Sequence, residues 1–415
     1  MATIEDIVVI GAGIVGAACA ARLVMAGKKV VILDRVPPGT SCSFGNAGGL
    51  SPTVCLPLAT PSMYSQIPGW LMRRDGPLAI DPKYLLTALP WLLRFMWAGL
   101  PSRSRIAAKG MYSLMHRLFD DYEPLLEFAG AQSLIHRVGQ LYVFSTESGF
   151  AKEQAAIKVR EALGFEQKLL LGISDIREYE PELDDRFTNG VYLPGNGHCS
   201  NAHRLVELLV EASVRSGARF VAGNVTRLEP AGTLVRVHGL SETLHARHVV
   251  LAGGIWSNEL LKSLSYRVPL ESHRGYHIHA PCEFVRPRRN VVWAEMKVVA
   301  TPMDSGVRIA GTAEIAGLKA PPREARYALL EDTARRMYPR LDVTGASRWM
   351  GHRPCTPDSL PVIGPLPRER RIICALGHGH IGLSAASFTG RVVAQIVADN
   401  DVRNEWAPFS IERFL

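Results

Sequence analysis

The chain has 415 residues, a mass of 45.5 kDa and a formal net charge of +8. This length predicts two or three domains. Its 47% hydrophobic and 21% charged residues are typical of a globular protein, and its 37 glycines and 27 prolines exclude a collagen-like or low-complexity chain. The positive charge favours an anionic partner, although a surplus this modest also fits an ordinary solvated surface.

The seven cysteines are an odd number and include no Cys-x-x-Cys pair. We therefore expect no metal site and no disulfide framework, but a reduced, cytoplasmic chain. The first six residues lack the basic region of a signal peptide. The most apolar stretch, Tyr84 to Leu100, contains Pro90 and Arg94 and falls short of the roughly 20 clean residues that a spanning helix needs.

A βαβ unit is predicted at the start of the chain. The strand Asp6–Ile10 runs directly into G-x-G-x-x-G, whose glycines are Gly11, Gly13 and Gly16. A small apolar helix follows, and then a second strand, Lys29–Leu33. This order within about 30 residues is typical of a dinucleotide-binding unit.

Each glycine of this motif has a physical role. Gly11 allows the tight turn, Gly13 lets the backbone approach a pyrophosphate, and Gly16 lets the helix pack closely on the strand. The helix N-terminus offers free N–H groups to the phosphates. Asp34 ends the second strand, where its carboxylate can accept hydrogen bonds from ribose hydroxyls. The motif alone does not distinguish FAD from NAD.

A second G-x-G-x-x-G, at 377–382, stands between the predicted strand Arg371–Leu376 and the predicted helix Leu383–Ala398. The chain ends soon afterwards, and no further strand remains to carry a ribose-binding carboxylate. We therefore predict a helix N-terminus directed at the electron-rich edge of a flavin ring, rather than a second dinucleotide site. A tight turn without a ligand is the alternative.

The middle of the chain combines helices with short strands. Amphipathic helices are predicted over Met111–Gly130, Ala202–Ser216 and Arg323–Tyr338, and residues 266–312 form short strand-like runs that are typical of an antiparallel sheet. The order of elements predicts an α/β part interleaved with an α+β part.

Four further segments accompany the two glycine motifs. They are a serine-rich loop at 40–52, a strand running into Gly-Gly at 249–257, a glycine-containing strand at 308–314, and a Gly-x-Arg-Pro turn within 349–364. In this order they resemble the D-amino-acid oxidase superfamily of FAD flavoproteins, and within it the bacterial D-amino-acid dehydrogenases. Glycine oxidase and sarcosine oxidase are more distant cousins, and the resemblance covers essentially the whole chain.

The resemblance implies an FAD-binding Rossmann-like domain interleaved with an antiparallel-sheet substrate domain. The FAD-binding domain would comprise residues 1–80, 198–270 and 351–415, and the substrate domain residues 81–197 and 271–350. Relatives with covalent flavin use a histidine in the early loop or a cysteine near the Gly-x-Arg-Pro turn. Neither position matches here, so the resemblance implies dissociable FAD.

The resemblance also implies the cofactor-binding residues. The first glycine motif and the acidic strand end would hold the ADP half, the serine-rich loop the pyrophosphate and the flavin edge, and the late glycine segment the flavin pyrimidine. The implied residues are Gly11, Gly13, Ile14, Val15, Gly16, Asp34, Arg35, Ser43, Asn46, Ala47, Gly48, Val225, Gly253, Trp256, Gly379, His380, Ile381 and Gly382.

Three residues are candidates for contact with the substrate. Arg353, in the Gly-x-Arg-Pro turn, would bind the substrate carboxylate, since a planar guanidinium can donate to both oxygens. A solvated surface arginine is the alternative. Tyr276 is the nearest candidate for the pocket tyrosine of glycine oxidase. His352 stands where the dehydrogenases often carry an apolar residue, which points to an altered pocket.

These residues together predict FAD-dependent oxidative deamination of a small D-amino acid, with hydride transfer from Cα to flavin N5 and release of an imino acid and then a 2-oxo acid. No side-chain base is required for such a step, so catalysis is by positioning and electrostatics. The alternative substrates are cis-4-hydroxy-D-proline, D-proline, glycine and sarcosine, for a dehydrogenase or an oxidase. The electron acceptor would be a quinone, a carrier protein or O₂.

Two remote alternatives have little support. A tRNA-modifying flavoprotein rests only on the net charge, because the chain has no basic tail or recognition motif, and we predict no nucleic-acid partner. A non-catalytic flavin-binding module is the other.

The stretch from Trp70 to Lys109 combines leucines and tryptophans with flanking basic residues. This composition is typical of a helix that lies on an anionic membrane surface. A buried helix pair kinked at Pro90 is the alternative. The first interpretation would place the cytoplasmic protein peripherally on the inner face of the membrane.

Overall fold

Two large β-sheets and a short third sheet organise the protein in a computed structural model that describes residues 4–64, 78–282, 285–399 and 402–415. The strands in chain order are β1 (Ile4–Ile10), β2 (Val30–Asp34), β3 (Gly49–Leu50), β4 (Leu78–Ile80), β5 (Ile135–His136), β6 (Gln140–Phe144), β7 (Lys168–Leu171), β8 (Asn189–Leu193), β9 (Gly197–Cys199), β10 (Arg219–Ala222), β11 (Arg227–Ala231), β12 (Leu234–His238), β13 (Leu244–Leu251), β14 (Glu271–Ala280), β15 (Asn290–Trp293), β16 (Val298–Met303), β17 (Gly306–Ile315), β18 (Ser347–Cys355), β19 (Val362–Leu366) and β20 (Glu369–Leu376). The helices are α1 (Ile14–Met25), α2 (Leu85–Ala98), α3 (Pro101–Met115), α4 (Leu118–Ala129), α5 (Glu147–Ala162), α6 (Ile173–Tyr179), α7 (Ala202–Arg215), α8 (Ser257–Lys262), α9 (Glu324–Met337), α10 (Gly382–Val397) and α11 (Arg403–Trp406).

The first sheet has a parallel centre in the order β10-β2-β1-β13. The early half of β13 pairs with antiparallel β12, and its late half pairs in parallel with β20. In the register, Ile10 lies beside Leu33 and Leu251, so these strands end at the same edge. Both glycine motifs therefore begin at the carboxyl edge of this sheet, where open α/β sheets bind ligands.

Small side chains let the helices pack tightly on this sheet. The four apolar residues that end β1, Ile7 to Ile10, are all β-branched and buried, as expected of a strand covered on both faces. The run of alanines in helix α1 is buried, and these short side chains let neighbouring elements approach closely. A Cβ added to Gly390 of α10 would lie 2.7 Å from the carbonyl oxygen of Ala18, so α1 and α10 meet almost backbone to backbone. Both glycine motifs start helices of this layer.

The second sheet has the order β18-β14-β17-β16-β15-β6-β8-β7, with β4 paired to β17. Most neighbours are antiparallel, as the sequence predicted, but β15–β6 and β17–β4 are parallel pairs. Helix α9 covers one face, where Tyr276 and Ile278 of β14 pack in a cluster with Leu330 and Met337. The interleaved α/β and α+β architecture is confirmed.

The division into two domains stays a prediction. The boundaries drawn at 198 and 351 fall inside β9 and β18, and β18 pairs with β14 along its length. Strand β4, placed by the prediction in the FAD-binding domain, pairs with β17 of the second sheet.

The predicted helix Met111–Gly130 is two helices, because the chain turns at His116 and Arg117 between α3 and α4. The turn lets Tyr122 donate a hydrogen bond to the carbonyl of Leu383 at 2.5 Å, which ties α4 to α10. Helix α2 runs through Pro90 without ending. Within the described ranges, no helix combines the length and the hydrophobicity needed to cross a membrane.

Candidate active site

A cleft of about 420 Å³ lies at the carboxyl edge of the first sheet and is bordered by strands of the second. Every site residue predicted from the sequence lines this cleft, apart from Gly16 and Gly48. The residues that the sequence did not indicate include Ser51, Gln140 and Asn290. The predicted site residues therefore share one location.

The first glycine loop is shaped by three different demands. Gly11 has φ +109°, and a Cβ there would lie 2.4 Å from the carbonyl oxygen of Ala252. A Cβ at Gly16 would lie 1.8 Å from the carbonyl oxygen of Gly11, so this glycine is needed for helix–strand packing. At Gly13 a Cβ would meet only Ser43 Oγ, at 3.4 Å. Gly13 therefore keeps the cleft open beside the α1 N-terminus, which fits a pyrophosphate.

The Asp34 carboxylate braces this loop from the end of β2. Its Oδ2 accepts a hydrogen bond from the backbone N–H of Ala12 at 2.7 Å, and its Oδ1 accepts one from Val36 at 3.2 Å. Each oxygen keeps a further lone pair that a ribose hydroxyl can use. Beside it the Arg35 guanidinium lies 4.3 Å from the centre of the Trp256 ring, so these side chains form one wall of the cleft.

The serine-rich loop is fixed from two sides. Ser43 Oγ accepts a hydrogen bond from the backbone N–H of Ile14 at 2.9 Å and thus caps α1. From the second sheet, Arg308 Nη1 donates to the carbonyls of Phe44 at 3.0 Å and Asn46 at 2.7 Å. Burial lowers the pKa of Arg308 to about 10, so it is still a cation at neutral pH. The loop that the sequence assigns to the flavin is therefore held by the second sheet.

A chain of buried side chains, here called the amide relay, supports the same loop. Ser51 Oγ donates to Gln140 Oε1 at 3.0 Å, and Gln140 Nε2 donates to Asn290 Oδ1 at 2.5 Å. Asn290 Nδ2 donates to Thr301 Oγ1 at 2.6 Å, and Thr301 Oγ1 donates to the carbonyl of Ala47 at 2.7 Å. These bonds set the orientation of each amide and of the Ala47 peptide. Sequence reasoning missed the relay because Gln140, Asn290 and Thr301 belong to no local motif and reach the serine-rich loop only through the fold.

Arg353 is a cation with no acidic partner among the described residues. Its Nη1 donates to the carbonyl of Thr312 at 3.2 Å, which is the side chain's only hydrogen bond among the described residues. It forms no ion pair with any residue in the described ranges, and burial lowers its pKa below the usual value. The second glycine loop is attached alongside, since the N–H of Gly379 donates to the carbonyl of Pro354 at 2.9 Å. A half-buried, unpaired guanidinium in a cleft is suited to bind an anionic group.

Two neutral histidines accompany Arg353. His380 precedes α10 and lines the cleft. Desolvation and the nearby Arg353 lower the pKa of His380 to about 4 and that of His273 to about 3. His273 lies opposite Arg353 in the β14–β18 register. Its ring meets the Trp91 ring in a T-shaped contact, with 4.8 Å between the ring centres. Around neutral pH the positive charge on this side of the cleft is therefore that of Arg353.

His352 lies on the opposite face of β18 from Arg353, because neighbouring residues of a strand point to opposite sides. Its Nδ1 is 2.8 Å from Ser272 Oγ, and its ring meets Trp256 edge-on at 6.3 Å between centres. It therefore lies with the Arg35–Trp256 wall of the cleft rather than beside the guanidinium.

Tyr276 borders the cleft, but its hydroxyl is directed elsewhere. The hydroxyl donates to the buried carboxylate of Glu314 and accepts a hydrogen bond from the backbone N–H of Arg323 at 3.3 Å. Glu314 is also paired with Arg274 at 3.3 Å and with Arg323 at 2.7 Å. Burial and Glu314 raise the pKa of Tyr276 to about 12. We therefore leave this hydroxyl out of the substrate pocket.

This fold and cleft are those expected of a dinucleotide-binding protein. The family model described as "DAO: FAD dependent oxidoreductase" matches residues 6–396, and the chain belongs to this family of FAD-dependent enzymes. It is 36% identical to a D-amino-acid oxidase of Bradyrhizobium diazoefficiens, with 99% of each chain covered. It is 29% identical to a D-amino acid dehydrogenase of the same organism, with 98% of each covered. Its fold matches glycine oxidase from Geobacillus kaustophilus with a TM-score of 0.76 at 20% identity, over 99% of each chain.

Proposed function

We propose that the protein oxidises a small D-amino acid to its imino acid, which water hydrolyses to a 2-oxo acid and ammonia. The unpaired guanidinium of Arg353 on the cleft wall carries this proposal, because an amino acid must be held by its carboxylate if its Cα–H is to be oriented. The names of the relatives that the chain resembles support the substrate class.

Different residues of the cleft bind the cofactor and the substrate. We assign the first glycine loop, Asp34 and the serine-rich loop to FAD, which when bound supplies the two-electron oxidant. Arg353 binds the carboxylate and orients the substrate. His380 is neutral and lines the cleft, so it offers a ring nitrogen to the amino group without repelling it.

Arg353→Lys should lower kcat/KM for the best amino acid, with a loss of transition-state stabilisation of about 2–3 kcal/mol, because lysine keeps the charge but loses the two parallel donors. FAD content should not change. The measurement is steady-state kinetics after an anaerobic flavin-bleaching screen of D- and L-amino acids, glycine, sarcosine and the D-prolines. Arg348→Lys is the matched control, since Arg348 lies on the same strand but pairs with Glu324 and Glu331 at the surface. Near-normal turnover of Arg353→Lys would place the carboxylate site elsewhere.

We further propose that α2 and α3 rest on an anionic membrane surface, on the cytoplasmic side. One face of α2 buries Ala88 and Trp91. The other is open to solvent, with Leu86, Leu93 and Trp97 exposed by 82%, 61% and 54%. The segment 83–119 contains no acidic residue, and its basic residues are Lys83, Arg94, Arg103, Arg105, Lys109 and Arg117. Trp70, Arg73 and Arg74 of the predicted surface lie outside the described residues.

The exposed face of α2 should make the protein cosediment with anionic lipid vesicles. We expect wild type to pellet with phosphatidylserine-containing vesicles at low salt and to stay in solution with zwitterionic vesicles. Leu86→Asp combined with Leu93→Asp should abolish pelleting. Leu171→Asp, at a leucine 64% exposed on β7, should not. Wild type that remains in the supernatant with anionic vesicles would contradict the membrane proposal and favour a carrier protein or O₂ over a membrane quinone as electron acceptor.

A further inference from the structure

Strands β14 and β17 lose their register beside the site arginine. On β14 a single residue, Gly275, stands between Arg274 and Tyr276, whereas two residues, Thr312 and Ala313, stand between their partners on β17. One residue against two is a β-bulge, a device that redirects local backbone groups and is frequent next to active sites.

Thr312 adopts a conformation that suits it poorly. Its φ of +58° lies in the left-handed region, which β-branched residues rarely occupy. The residue is 4% exposed, and its hydroxyl has no hydrogen-bond partner among the described residues. Its carbonyl, turned by the bulge, accepts the 3.2 Å hydrogen bond from Arg353 Nη1. Strain of this kind persists where the surroundings enforce it, and it concentrates at functional sites.

Gly275 provides space rather than an unusual backbone angle, since its φ is outside the left-handed region. A Cβ built there would lie 2.3 Å from Nη2, 2.4 Å from Cζ and 2.6 Å from Nε of Arg353. The flat face of the guanidinium therefore lies directly on the backbone of β14. Any other residue at this position would compete with the guanidinium for the same volume.

We propose that Gly275 and the carbonyl of Thr312 form a seat that positions Arg353 for its ligand. The carbonyl fixes Nη1 and the glycine supports the flat face, while Nε and Nη2 have no acceptor among the described residues. These two neighbouring donors match the two oxygens of a carboxylate. Both seat residues act through Arg353, so this inference rests on its proposed role in substrate binding.

Gly275→Ala should raise KM for the amino acid at least tenfold, with a smaller change in kcat and unchanged FAD content. Gly190→Ala is the matched control, because Gly190 lies in β8 of the same sheet and a Cβ there would come no closer than 3.2 Å to another atom. Normal KM in Gly275→Ala, or loss of FAD, would overturn the proposal.

A double-mutant cycle shows whether the glycine acts through the arginine. In an Arg353→Ala background, Gly275→Ala should change KM less than twofold, since no side-chain atom remains for the new Cβ to displace. A tenfold effect in that background would overturn the positioning role. Arg353→Ala with normal kinetics would instead refute the carboxylate site itself. If Gly275→Ala alone does not fold, the double variant decides: recovery of folding places the clash at the guanidinium, and continued misfolding overturns the seat.

Thr312→Gly tests the other half of the seat. Glycine accepts φ +58° without strain and adds no atoms, but it lets the carbonyl move. We expect KM to rise severalfold while the melting temperature stays the same or increases. An unchanged KM would remove Thr312 from the seat.

Discussion

Replacing Gly13 with valine is expected to give a folded protein that purifies without FAD. The backbone at this position is extended, with φ −76° and ψ 179°, which valine adopts readily. A Cβ would meet only Ser43 Oγ at 3.4 Å, so the polypeptide can accommodate the change. The valine methyl groups would instead fill the cleft at the α1 N-terminus, where we place the pyrophosphate. The measurement is flavin absorbance per mole of protein, with FAD released by denaturation.

Two other glycines make this experiment specific. Gly195→Ala should retain full FAD, because a Cβ there would meet nothing within 4 Å. Gly16→Ala should damage folding itself, since its Cβ would lie 1.8 Å from a backbone oxygen. Full flavin content in the Gly13→Val variant would mean that the pyrophosphate lies elsewhere.

Acidification below about pH 6 is expected to destabilise the protein steeply. Burial lowers the pKa of His198 to about 4 and those of His273, His277 and His378 to about 3. They remain neutral in the folded protein but gain protons near pH 6.5 when it unfolds. Their contribution to stability is thus complete above pH 6.5 and is lost as the pH falls towards 3–4.

Glu180 acts in the opposite direction. Burial raises its pKa to about 7, so it stabilises the fold at low pH and loses that contribution as the pH rises from about 4.5 to 7. Counting these four histidines and Glu180 alone, the unfolded chain near pH 5 binds about three more protons than the folded chain, which corresponds to a loss of up to about 4 kcal/mol per pH unit. Urea unfolding at pH 5, 6 and 7 measures this slope. His198→Gln should reduce the slope by the amount that corresponds to about one bound proton. Equal stability at pH 5 and 7 would contradict the prediction.

The sequence predicted those parts of the site that sit in local motifs. The first glycine loop, Asp34 and Arg353 could be recognised because each lies in a short segment whose spacing reflects its chemistry. The Arg308 contacts, the amide relay and the bulge at Thr312 could not, since they depend on strand pairing between residues far apart in sequence. The direction of the Tyr276 hydroxyl follows from strand alternation and the neighbouring bulge, which a single sequence does not reveal.

Helix prediction failed where burial is weak or one-sided. Helix α5 has no clear apolar stripe because it buries only Gly149, Ile157 and Arg160, so its sequence gave little signal. The predicted surface helix and the predicted buried helix were alternatives for the segment around Pro90. Helix α2 buries Trp91 and exposes Leu86, Leu89 and Leu93, and its contact with a membrane stays a prediction.

The amide relay has a consequence for how this protein can change over generations. Each member supplies the donor or acceptor that the next one requires, from Ser51 through Gln140, Asn290 and Thr301 to the Ala47 carbonyl. A single apolar replacement would leave its buried partners without a hydrogen bond, and each unsatisfied group would cost about 1–3 kcal/mol of stability. Substitutions of the four side chains are therefore coupled, and related chains should either keep the whole set or replace several members together.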